Sequence, residues 1–86
     1  MDEFPSYEPV LSSRATAFLV ALPKRQQTRL IALLERLAHN PFQVGDYSIP
    51  DGNQRTIEFL RIGNYVVGFW ADHATKEFRI VTVEQT

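Results

Sequence analysis

Apolar positions recur with the period of a helix in the first half of this chain and with that of a strand in the second. Ala15, Phe18, Leu19 and Leu22 stand at i, i+3, i+4 and i+7, one face of a helix. Ser12-Ser13 precedes them, and a serine hydroxyl there can accept from the free amides of the first turn. Pro23 suits the start of a second helix, where its missing N–H costs nothing. Leu30, Ile31, Leu33, Leu34, Leu37 and Ala38 then form a broad apolar stripe, while Arg25, Arg29, Ala32 and Arg36 share another. Asn40-Pro41 ends the pattern. Two antiparallel helices with a very short connection are expected.

Beyond Gly45 the period changes. Asp46–Ile49 reads as a short edge strand and Arg55–Ile62 as a longer one, separated by the turn residues Pro50-Asp51-Gly52-Asn53. Gly63-Asn64 fits a two-residue hairpin turn, because both tolerate positive φ. Tyr65–Ala71 is apolar on both parities, as in a strand covered on both faces. A loop at Asp72–Thr75 and a last strand at Phe78–Val83 complete the order. The expected fold is α+β: a helical hairpin on a four-stranded, mostly antiparallel sheet, with a further short strand possible at Tyr7–Leu11. One domain spans 1–86, with 1–11 as an arm or edge strand, 12–40 as the hairpin and 45–84 as a β-meander.

At 86 residues the chain is near the lower limit for a self-sufficient core. It has no cysteine, which excludes disulfides and thiol chemistry and fits a reducing cytoplasm. The first residues lack a basic-then-apolar signal pattern, and no apolar run approaches the roughly 20 residues of a membrane helix. Net charge is −1, so no global field draws the chain to nucleic acid. The charge is unevenly spread: residues 12–44 carry five bases and one acid, residues 1–11 three acids and no base, and residues 45–86 six acids and four bases. The helical third therefore concentrates the basic charge.

Three stretches carry a resemblance: Phe18-Leu19-Val20-Ala21-Leu22-Pro23-Lys24, Leu34-Glu35-Arg36-Leu37-Ala38-His39-Asn40-Pro41-Phe42, and Arg61-Ile62-Gly63-Asn64-Tyr65-Val66-Val67-Gly68-Phe69. Together they resemble the RelE/ParE superfamily, the toxins of bacterial type II toxin–antitoxin modules, over about Val10 to Val83. The resemblance implies a helical hairpin packed on a twisted antiparallel sheet. It also implies a cytoplasmic toxin neutralised by a cognate antitoxin that wraps it. One branch of the superfamily cleaves messenger RNA on the ribosome; another poisons DNA gyrase.

Cutting a phosphodiester with the neighbouring 2′-hydroxyl needs a proton acceptor, cations on the phosphate and a donor for the leaving oxygen. Matched to the cleaving branch, its lysine positions fall on Ile57 and Phe59, its post-tyrosine arginine on Val66, and its terminal basic position on Gln85 or Thr86. None of these can carry a positive charge or transfer a proton near neutral pH. Arg61, with Tyr65 as a structural neighbour, matches the pattern.

Other groups are open to two readings. Asp72, His73 and Lys76 form a small acid–base cluster or an exposed turn. Arg55, Arg61 and Arg79 sit on neighbouring strands; Arg55 and Arg61 share a parity and line one face with Glu84 nearby, or the three make cross-strand pairs with Glu58 and Glu77. The stripe Arg25-Arg29-Arg36 meets an acidic partner or nucleic acid, or is a solvated face. Trp70 packs or stacks on a base. Asp72, His73, Glu77 and His39 lack metal-ligand spacing, and no cofactor is implied.

The leading expectation is a toxin-like component that acts through protein binding, with Arg25, Arg29, Arg36, Phe59 and Trp70 as partner-binding residues. The alternatives are a ribosome-dependent endoribonuclease with a rearranged set (Arg55, Arg61, His73 and Arg79) and an inactive member serving as an interaction module. The sheet face bearing Ile57, Phe59, Val66, Gly68 and Trp70 is expected to be an open apolar patch. A second copy in a homodimer, an antitoxin segment or the arm Met1–Pro9 would cover it.

Overall fold

The computed structural model describes residues 7–53 and 55–86. Among these residues the chain runs β1 (Glu8–Leu11), α1 (Ser13–Val20), α2 (Lys24–Ala38), β2 (Tyr47–Pro50), β3 (Thr56–Ile62), β4 (Tyr65–Asp72) and β5 (Glu77–Gln85). The strands form one mixed sheet in the order β1-β5-β4-β3-β2. The architecture is α+β as expected, with five strands rather than four. The fifth is Glu8–Leu11, which lies parallel to β5 with Glu8 opposite Glu77 and Leu11 opposite Ile80. The remaining pairings are antiparallel. Residues 1–6 of the expected arm lie outside the described residues.

The helix boundaries follow local chemistry. The Ser12 hydroxyl accepts from the Ala15 amide at 3.0 Å and donates to the Val81 carbonyl at 2.6 Å. One side chain thus caps α1 and ties it to the sheet. Pro23 is the N-cap of α2, with an extended ψ of 151°. Between the helices the Gln27 side-chain amide donates to the carbonyls of Val20 and Leu22, at 3.3 and 2.9 Å.

The core lies between the helices and one sheet face. Leu30, Leu34, Leu37 and Ala38 of α2 and Ala15 of α1 are buried with Tyr65, Val67, Phe69, Phe78, Ile80 and Val83. Phe18, Leu19 and Leu22 pack against them partly buried. Ile31 departs from the expected stripe and is 42% exposed. It follows Leu30 by one residue, about 100° around the helix, which turns it away from the sheet.

The hairpin between β3 and β4 has the expected two-residue loop, with Ile62 opposite Tyr65. Gly63 holds φ of +60°, while Lys76, in the β4–β5 turn, is the described non-glycine residue with positive φ. A register shift between Gly68 and Phe69 breaks the β4–β5 ladder: Gly68 faces Thr82, but Phe69 faces Ile80. The extra residue on β5 is Val81. Ile80 and Val83 can therefore both enter the core although three positions separate them.

Candidate functional site

The sheet face away from the helices follows from the register. Val67, Phe69 and Tyr65 point into the core, so Val66, Gly68 and Trp70 point outward. Across the ladder Val66 meets Arg61, Gly68 meets Phe59, and Trp70 meets Arg79. On β2, Tyr47 faces Phe59 and Ile49 faces Ile57. The expected parity of Ile57, Phe59, Val66, Gly68 and Trp70 is thus the observed one.

The expected open patch is not. Gly68 is buried, and Ile57, Phe59, Val66 and Trp70 are half-buried. Their cover comes from neighbours on the same face. The Tyr47 ring stacks on Phe59, with centroids 5.1 Å apart and planes 5° from parallel. Phe59 in turn leans over Gly68: a Cβ built there would lie 2.9 Å from the Phe59 ring and 2.8 Å from the Thr82 hydroxyl. The exposed apolar groups lie instead on edge strand β2, where Tyr47 and Ile49 are 54% and 48% exposed, and before it at Phe42 and Val44.

Trp70 is covered by cations. The Arg55 guanidinium sits 4.4 Å from the Trp70 ring centroid, and that of Arg79 sits 5.7 Å away. Both are within range of the ring quadrupole. Each arginine is also held by a carboxylate. Arg55 Nε donates to Asp51 at 2.8 Å within the β2–β3 turn. Arg79 donates through one terminal nitrogen to Glu77 at 2.6 Å, and its Nε stands 3.8 Å from Asp72. The expected partner Glu77 does hold Arg79, along the strand rather than across it, while the expected Glu58 is replaced by Asp51 and Asp72. Glu77 is a neighbour on the same strand, and Glu58 points to the helix side, where it accepts from the Gly45 amide at 2.8 Å. A depression of about 320 Å³ lies beside Trp70, bounded by Arg55, Arg79, Asp72, Val10 and Val81.

Two carboxyls here titrate below the usual aspartate value of 3.8. The Arg55 hydrogen bond is the main cause at Asp51. At Asp72 it is the Thr75 amide, with Ala74 and the charge of Arg79 adding to it. Both groups are therefore anionic at neutral pH.

The rearranged catalytic set is brought together only in part: Arg55 and Arg79 flank Trp70, Arg55 and His73 border one depression, and Arg61 stands apart. Arg55 and Arg79 meet across Trp70. Arg61 stands six residues further along β3 than Arg55, about 20 Å at 3.3 Å per residue, and is exposed beside the hairpin. His73, just past the end of β4, turns toward Tyr7 and Phe42. Its Nδ1 lies 2.8 Å from the Tyr7 hydroxyl, and its ring stacks on Phe42 at 5.0 Å. It shares a second depression, of about 310 Å³, with Arg55 and Trp70. The Asp72–His73–Lys76 group is a turn: Asp72 accepts from the Ala74 and Thr75 amides. Tyr7, which sequence reasoning did not single out, is 6% exposed and anchors His73. At the chain's last residue, Thr86 donates its amide and its hydroxyl to the Asn64 carbonyl.

Arg25, Arg29 and Arg36 are exposed on α2, as their stripe implied. Among the described residues no three histidine or acidic side chains gather to hold a metal ion. No helix among them is long and apolar enough to cross a membrane.

No family model matches the sequence, and no curated protein does. Solved structures do match. The toxin–antitoxin complex RelBE2 of Mycobacterium tuberculosis contains a chain that superposes with a TM-score of 0.73 at 19% identity, over 94% of this chain and 99% of that one. The archaeal RelE–RelB complex of Pyrococcus horikoshii gives 0.68 at 17% identity, over 93% and 94%. At this identity the likeness is one of fold. The helical hairpin, the sheet behind it and the face that carries Trp70 together make the fold of the RelE toxins.

Proposed function

We propose that the chain is the toxin-like component of a type II toxin–antitoxin module, that it acts by binding a protein, and that an antitoxin holds it in check. The fold is the first support, since both similar structures are toxins in complex with their antitoxins. The observation that carries the mode of action is the make-up of the outer sheet face. RNA cleavage needs free cations on the phosphate and a group to take a proton. This face instead presents Ile57, Phe59 and Val66 at the positions where the cleaving branch carries cations, and each arginine beside Trp70 already has one nitrogen on a carboxylate, Arg55 on Asp51 and Arg79 on Glu77. Half-buried aromatic residues flanked by arginines are the composition of a protein-binding centre. DNA gyrase is the target class supplied by the resemblance to the non-cleaving branch.

Inducible expression tests this reading. Growth arrest is expected. Co-expression of the small protein encoded beside the chain should relieve it, and Trp70→Ser, checked for folding, should abolish it. Absence of arrest at high expression would overturn the reading. A supercoiling assay with purified gyrase tests that target separately.

A further inference from the structure

Beside Trp70 the structure holds a built recess whose donors are incompletely used. Arg55 has one hydrogen bond, from Nε to Asp51, and its two terminal nitrogens have no partner among the described residues. Arg79 has one, from a terminal nitrogen to Glu77. Its Nε is shut off from solvent and makes no hydrogen bond among the described residues. That nitrogen faces the Asp72 carboxylate at 3.8 Å and is closed to an entering group, which leaves the terminal nitrogens as the available donors. Both guanidiniums border the same space of about 320 Å³, with the Trp70 ring beside them and Val10 opposite. That volume is at the lower end for small-ligand sites. It suits a single side chain entering from a partner.

We infer that this recess binds one carboxylate side chain, an aspartate or glutamate, presented by an extended segment of the protein partner. A carboxylate accepts two parallel N–H donors in the plane of a guanidinium edge, a match that terminal nitrogens can make. The aliphatic stem of a glutamate would lie on the Trp70 ring. The surrounding charge argues for a group of single charge. Asp72 lines the recess, and Asp51 and Glu77 hold its two arginines from outside it, so a nucleic-acid strand would bring one phosphate after another beside fixed carboxylates. Those carboxylates are themselves occupied: Asp51 by Arg55, Asp72 by the amides of Ala74 and Thr75, Glu77 by Arg79 and the Thr75 hydroxyl. They leave the outer guanidinium nitrogens to an incoming acceptor.

The inference rests on the protein-binding reading and names the chemistry the partner brings. Its test uses purified protein and so fails separately from the growth assay. Trp70 is the chain's one tryptophan, so its fluorescence reports on the recess alone. The probes are an acetylated, amidated peptide with one glutamate between two leucines, the same peptide with glutamine, and uridine 3′-monophosphate. The glutamate peptide should change Trp70 emission saturably. The glutamine peptide should bind about tenfold more weakly or worse, as expected for loss of a charge-assisted pair. Arg55→Gln and Arg79→Gln should each weaken the glutamate peptide about tenfold, while Arg61→Gln leaves it unchanged. Equal response to the two peptides, or none, would overturn the assignment. Tighter binding of the uridine phosphate would overturn it in favour of nucleic acid.

Discussion

Gly68 stands where the outer face of the sheet is most crowded. A methyl group there would press on the Phe59 ring at 2.9 Å and on the Thr82 hydroxyl at 2.8 Å. The ring cannot swing freely, because Tyr47 stacks on it. Gly68→Ala should therefore cost about 1–3 kcal/mol in urea unfolding, as overpacking does. Phe59→Ala in the same chain should remove the part of that cost due to the ring and leave the part due to Thr82, a coupling that a double-mutant cycle measures directly. Trp70 is held differently, by two cations that are themselves ion-paired. Those pairs are 30–40% exposed on most of their members, so each contributes little to stability at neutral pH. Their sign is still testable. Asp51 and Asp72 have pKa values lowered in the folded state, so their contribution is present above the unfolded value of 3.8 and is lost as pH falls through the folded one. Thermal stability should decline below about pH 4, and Asp51→Asn should flatten part of that decline. An unchanged slope in the variant would mean that the Arg55 pair does not form in solution.

At the scale of elements, the apolar periods of the sequence carry most of the fold. The second helix, the β3–β4 hairpin and the outward parity of Trp70 all follow from spacing that can be read directly. What escapes is what depends on distant partners. The short strand expected at Tyr7–Leu11 is there as Glu8–Leu11, but its parallel pairing with β5 is not legible, because the segment shows no alternation of its own. The β5 register depends on the bulge at Gly68 and Phe69, which no turn residue on β5 announces. The same limit applies to the candidate site. The outward parity of Trp70 and the shared parity of Arg55 and Arg61 can be read from the sequence, but the pairing of Arg79 with Trp70 lies beyond the register shift and cannot. The ion pairs that clamp them arise from the loop at 51–55 and the turn at 72–77, whose geometry it does not. His73 is the plainest case, since its neighbours Asp72 and Lys76 in sequence are replaced by Tyr7 and Phe42 in space. The placement of α2 can be checked by a pair of substitutions. Leu34→Ala, at 2% exposure, should lose about 2–5 kcal/mol. Ile31→Ala, at 42%, should lose under about 0.5 kcal/mol beyond helix propensity. Similar losses at the two sites would mean that the helix is rotated on the sheet.

For the whole molecule, the two sides differ in character. One side of the sheet is sealed by the helices over a continuous core. The other is closed by its own stacked rings and clamped arginines, and its exposed apolar groups are displaced to the edge at Tyr47 and Ile49. On the reading proposed above, that outer face serves recognition through Trp70 and its flanking guanidiniums rather than RNA cleavage. The direct test is to add purified protein to ribosomes paused on a defined message and map the RNA ends by primer extension. The account expects no new ends, at enzyme levels where a cleaving toxin cuts to completion. Codon-specific cuts that disappear in Arg55→Ala or Arg61→Ala would contradict it.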